Sequence, residues 1–158
     1  MGRPTEPFRR EHVEIKEHLD HLKTEIGKLA AAPPGEQKAS MQHVVSFVRE
    51  HIKPHAEWEE QVLYPAVDRR AASGPNPFTA SMRYEHRIVV RWTDELASMA
   101  SSATPDITAF ARRADNLLGL IWAHFEEEEE VLLPILDRTM SKEDFEREIG
   151  RHHAGPSH

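Results

Sequence analysis

The chain has 158 residues, enough for one domain with a buried core. Acidic residues number 27 against 20 basic, and the net charge of −7 argues against a nucleic-acid or anionic-membrane partner. Cysteine is absent, which excludes disulfides, thiolate metal sites, iron–sulfur clusters and cysteine nucleophiles.

Four long helical segments are predicted, in chain order. The first covers about residues 7–32, with Ile15, Leu19, Leu22, Ile26 and Leu29 on one stripe spaced by four and three residues. Pro33-Pro34-Gly35 ends it. The second covers about 36–72, and Pro54 within it predicts a kink or local break before His55. Ser73-Gly74-Pro75-Asn76-Pro77 separates it from the third, about 78–101, whose face is expected to carry Met82, His86, Val89, Val90, Thr93, Leu96 and Ala100. Thr104-Pro105-Asp106 opens the fourth, which runs to about Thr139, with Pro134 bending its last turn. Ser141 reads as the N-cap of a short fifth helix, 142–149. Residues 151–158 read as a flexible tail, leaving 1–150 as the single domain. No stretch alternates with strand period, so the expected fold is an all-α, up-down-up-down four-helix bundle with a short C-terminal helix. No apolar run is long enough to cross a membrane, and the first residues lack the apolar core of a signal peptide. The expected location is the cytoplasm.

Of eleven histidines, His152, His153 and His158 fall in the tail, and the other eight demand explanation. The second and fourth helices share one phrase, H-x-x-x-E-E-x-V-L-x-P, at His55–Pro65 and again at His124–Pro134. The first and third share a weaker one, in which Glu11-His12 aligns with Glu85-His86. The chain therefore reads as two copies of a helical hairpin, each supplying a His from its first helix and a His-x-x-x-Glu from its second. Residues four apart lie about 40° apart on a helix and residues five apart about 140°. That geometry lets His55 reach one centre with Glu59, and His124 with Glu128, in preference to Glu60 and Glu129. Helical rise also places His12 and His55 at matching depths, about 30 and 28 Å from their shared turn. Imidazoles and carboxylates without sulfur suit iron, manganese or zinc, and a metal explains why a core tolerates such groups.

These residues resemble the hemerythrin-like family, the HHE cation-binding domains. The resemblance covers about residues 8–137 and rests on Glu11-His12, His55-x-x-x-Glu59-Glu60, Glu85-His86 and His124-x-x-x-Glu128-Glu129. It implies two iron ions in an oxo- or hydroxo-bridged diiron centre inside a four-helix bundle. By that resemblance Glu59 and Glu128 bridge, and His12, His55, His86 and His124 are terminal ligands. It further implies a small-molecule partner: O2, NO or peroxide. Oxygen-carrying members have a fifth histidine four residues before the position of His86, where this chain has Met82. That departure leaves open positions on the metals. The leading expectation is a protein binding O2 or another small diatomic for sensing, storage or protection. The alternative is a redox-stress enzyme acting on peroxide, NO or Fe(II), and a third reading is an interaction domain with a structural metal.

Other residues keep simpler readings. His18 is an alternative to His12, and His51 a possible fifth ligand. His21 and His43 are expected to face solvent. Of the acidic run 126–130, only Glu128 is expected to point inward. Met82, Trp92 and Trp122 are expected to fill the core; Tyr64 either packs, the favoured reading, or donates a hydrogen bond near the site.

Overall fold

A computed structural model describes residues 2–71 and 74–152. Helix α1 is Glu6–Gly27, followed by a short 3-10 turn, Leu29–Ala31. The backbone extends at Ala32 and Pro33, and α2 starts at Pro34 rather than Glu36. Proline suits a first helical position, where no N–H is needed. Helix α2 spans 34–70, α3 is Ala80–Ala100, α4 spans 107–139 and α5 is Lys142–Glu148. The caps follow the sequence: Asp106 accepts from Ala109 N at 3.0 Å, and Ser141 Oγ from Asp144 N at 3.0 Å. Among the described residues there is no strand. The predicted all-α bundle is therefore the observed fold. Ala72, where α2 was expected to end, lies outside the described residues. So does all of the expected tail, 151–158, past His152; its first two residues, Arg151 and His152, form a 3-10 turn with Gly150.

Pro54 does not break α2. The helix stays continuous through a π turn, Val48–Ile52, and a second, Glu59–Leu63, precedes Pro65. Helix α4 does the same at Glu128–Leu132, before Pro134. In each case the residue just before the proline donates five residues back: Lys53 to Val48 O, Tyr64 to Glu59 O and Leu133 to Glu128 O. A proline ring clashes with the carbonyl four residues before it, and the widened turn makes room for the ring without ending the helix.

The core forms two apolar clusters. The lower one gathers residues such as Leu19, Leu22, Val44, Leu96, Leu117 and Phe125. The upper one gathers Phe8, Leu63, Tyr64, Met82, Leu133 and Phe145. Met82 is fully buried in the upper cluster, while Trp92 and Trp122 pack against the lower. Along α1, α2 and α3 the predicted site residues fall between the two; on α4, His124 and Glu128 flank Phe125 of the lower cluster.

The upper end is closed by a matched pair of clamps. Thr5 donates to Asp137 Oδ1 through N and Oγ1 (3.1 and 2.8 Å), and Arg9 Nη2 donates to Oδ2 at 3.1 Å. Across the bundle, Thr79 donates through N and Oγ1 to Asp68 (both 2.9 Å), with Arg83 Nη2 3.6 Å from Oδ2. The offset that aligns His12 with His86 also aligns Thr5 with Thr79 and Arg9 with Arg83. The offset that aligns His55 with His124 aligns Asp68 with Asp137. The internal repeat thus extends to the residues that join the hairpins. Asp137→Ala removes a partly buried carboxylate that holds three donors, and should cost about 1–3 kcal/mol. Urea unfolding of the metal-free protein, compared with wild type, measures it.

Candidate metal centre

All six predicted residues converge between the two clusters. His12, Glu59 and Glu128 are fully buried, and His55 and His124 nearly so. They fall into two groups whose ligand atoms lie within 4.8 Å of one another: His12, His55 and Glu128, and Glu59, His86 and His124. Each group takes both its histidines from one hairpin. The carboxylates span the groups. Glu128 Oε1 lies 3.9 Å from His12 Nε2 and 3.2 Å from His124 Nε2. Glu59 Oε1 lies 3.3 Å from His55 Nε2 and 3.7 Å from His86 Nε2.

The atoms facing inward fit cations. Neither oxygen of Glu128, nor Glu59 Oε1, nor His12 Nε2 takes a hydrogen bond, although all are buried. Burying polar atoms in this way is costly unless they bind something. His86 Nε2 and His124 Nε2 are only 3.0 Å apart, so one proton or one cation must separate their lone pairs.

The sequence profile of the hemerythrin HHE cation binding domain matches residues 3–136. The chain belongs to that family. No curated protein and no solved structure gives a significant match. Membership makes this a metal-binding helical protein.

In this hemerythrin-family bundle every inward histidine has a carboxylate at its outer nitrogen. Nδ1 of His12 pairs with Glu129 (3.0 Å), His124 with Glu85 (2.8 Å), His86 with Glu60 (3.1 Å) and His55 with Glu11 (3.2 Å). The pairs run round the bundle, α1 to α4, α4 to α3, α3 to α2 and α2 to α1. With Nδ1 donating to its carboxylate, the Nε2 of a neutral imidazole presents its lone pair inward, the tautomer a metal ligand requires; His124 must give up its second proton to do so. This explains the doubled acids. In each Glu-Glu pair the first carboxylate points in and the second orients a histidine. In each Glu-His pair the glutamate orients the histidine of a neighbouring helix. The sequence reading missed all four orienting glutamates, and Glu129 is not the solvated residue expected of it. It also pairs with Lys16 Nζ at 3.0 Å. The recurrence of Glu beside His12, Glu59, His86 and Glu128 was the available signal.

Tyr64 packs as expected, fully buried, yet its hydroxyl belongs to the site. It donates to Glu59 Oε2 at 3.2 Å and lies 3.2 Å from His86 Nε2 and 3.1 Å from His124 Nε2. The π turn explains this. Residue i+5 stacks over residue i there, so Tyr64 rises directly above Glu59 instead of turning away. Its counterpart in the repeat is Leu133, so only one half of the site has a phenol.

The electrostatics suit a metal centre. Burial, followed by repulsion from Glu128, pushes the Glu59 carboxyl well above its usual range. Burial lowers His12 despite Glu129, and lowers His86 to about 3 with help from His124 and His55. Both are therefore neutral imidazoles. Burial disfavours protonated His124 too, but Glu128, Glu85 and Glu59 overcome it and raise its pKa well above normal. Burial and the nearby carboxylates raise Tyr64, so it keeps its proton.

His18 and His51 do not approach the site. The His18 ring lies 4.2 Å from Phe47 and 5.6 and 6.1 Å from His43 and His51, on the seam nearer the α1–α2 turn. His21 and His43 are exposed as predicted, and His43 pairs with Glu25 at 2.8 Å.

Proposed function

We propose that His12, His55, His86, His124, Glu59 and Glu128 hold two iron ions, and that the protein binds O2 or another small diatomic for sensing, storage or protection. The observation that supports this reading is the pair of His2Glu groups sharing both carboxylates. Such a centre supplies electrons that can be exchanged with a bound diatomic. The chain's part is to hold six ligands rigidly between two apolar clusters and to orient each imidazole through its carboxylate. Anaerobic loading with Fe(II), metal analysis after desalting, and admission of air test the reading. Two irons per chain and a new charge-transfer absorption are expected. Less than one iron per chain and no absorption would sink it. Glu85→Ala, which frees His124, should weaken metal binding about 10–100-fold with the helical content kept. Competition with a chromogenic chelator measures that loss.

Tyr64 favours a second reading, a redox-stress enzyme acting on peroxide, NO or Fe(II). The buried phenol keeps its proton within hydrogen-bond distance of the ligand nitrogens, and a positioned hydrogen-bond donor of this kind contributes about 10²–10³-fold to turnover. Tyr64→Phe separates the two readings. For an enzyme, turnover of peroxide or NO falls by a factor in that range. For a binding protein, diatomic binding capacity is unchanged.

A further inference from the structure

The two halves of the site are built from equivalent positions but are covered differently. Over His12 the cover is complete. The Phe125 ring stacks on it at 4.3 Å, and Lys16 bridges Glu126 and Glu129 at 2.6 and 3.0 Å. Lys16 also lies 5.4 Å over the Trp122 ring, closing the α1–α4 seam. At the matching positions over His86, the repeat substitutes each of these residues. Phe125 becomes Ala56, Lys16 becomes Val90 and Trp122 becomes Lys53. The acids that would receive the lysine remain, as Glu57 and Glu60. The α2–α3 seam is accordingly open. A groove of about 490 Å³ runs there, with Ala56, Val90 and Glu60 in its walls, and reaches His86. The His86 side chain is 11% exposed, against 0% for His12.

The charges lining the groove balance, Arg49, Lys53 and Arg87 against Glu57, Glu60 and Asp94, so no net positive charge bars a cation. At its rim Arg49 pairs with Asp94 at 3.1 Å and Lys53 lies 3.9 Å from Glu57, so these charges largely cancel. Glu60, 37% exposed, stands at the inner end beside His86.

We propose that this groove is the port of the metal centre: divalent cations enter and leave the Glu59–His86–His124 half through it, while the His12–His55–Glu128 half is sealed. The inference rests on the two-ion reading above and adds that the two ions exchange at different rates. The test uses Co(II), a coloured and redox-stable probe, loaded into the full chain and released into excess EDTA. Wild type should bind two ions and release them in two phases of one ion each. Val90→Lys restores the missing lysine opposite Glu57 and Glu60, at a position 49% exposed that tolerates substitution. Ala56→Phe restores the aromatic lid. Each should slow the fast phase about tenfold or more while two ions still bind, because release must now open a lid. Phe125→Ala should accelerate the slow phase. A single release phase in wild type, or a fast phase that neither Val90→Lys nor Ala56→Phe alters, overturns the port. A wild-type chain binding fewer than two Co(II) overturns the two-ion reading on which it stands.

Discussion

Glu128→Ala should reduce the metal bound after anaerobic loading from two ions per chain to one or none. Glu59→Ala should do the same. The expectation is severe because each carboxylate serves both groups: Glu128 lies near both His12 and His124, and Glu59 near both His55 and His86. Removing one carboxylate therefore withdraws an oxygen donor from both halves, whereas losing an orienting glutamate withdraws none. Elemental analysis of desalted protein, with circular dichroism to verify that the helices persist, checks the result. Two ions retained in either variant would show that the convergence of these side chains has nothing to do with metal.

The second large effect changes sign with metal. In metal-free protein, two buried carboxyl groups face each other, and three of their four oxygens take no hydrogen bond. Replacing buried ionic groups with apolar residues of similar volume is commonly neutral or stabilising, by about 1–4 kcal/mol. Glu59→Leu combined with Glu128→Leu should therefore raise the urea midpoint of chelator-treated protein. In wild type the ions supply the compensation, contributing about 4 kcal/mol per site when free metal is a thousandfold above its dissociation constant. The double variant gains nothing from added metal, so the order of stability should invert: variant above wild type without metal, below it with metal. Unfolding curves in chelator and in saturating Fe(II), both anaerobic, test the crossing. If metal-free wild type is the more stable, the two acids are already satisfied by their neighbours.

Much of this protein is legible one helix at a time. The four-three spacing of Leu19, Leu22, Ile26 and Leu29 marks a buried stripe, and all four are buried. His55 with Glu59, and His124 with Glu128, are neighbours one turn apart on a single helix, so their spacing alone predicts a shared direction. Depth counted from the turns favoured His12 over His18, and His12 is the one that reaches the site. The repeat was read around the histidines, as far as Pro65 and Pro134 and along the first and third helices to Leu22 and Leu96. Its continuation through Thr5, Arg9 and Asp68 needed the structure to show that those residues meet.

Helical periodicity, a local property that each segment carries alone, was enough to read the bundle, the six inward residues and the pairing of the histidines by hairpin. The carboxylates cross that pairing, Glu128 joining His12 and His55 and Glu59 joining His86 and His124. Tertiary structure decided the remainder. Three prolines, each two residues past a π turn, widen helices that the pattern treats as uniform, and that change of phase brings the Tyr64 hydroxyl to Glu59. The carboxylate ring from Glu11, Glu60, Glu85 and Glu129 joins residues on different helices, at separations from 26 to 117 positions along the chain. The open seam over His86 exists only because Ala56 and Val90, distant in sequence, face each other across two helices. Such contacts depend on how helices are set against one another, and no single helix encodes that.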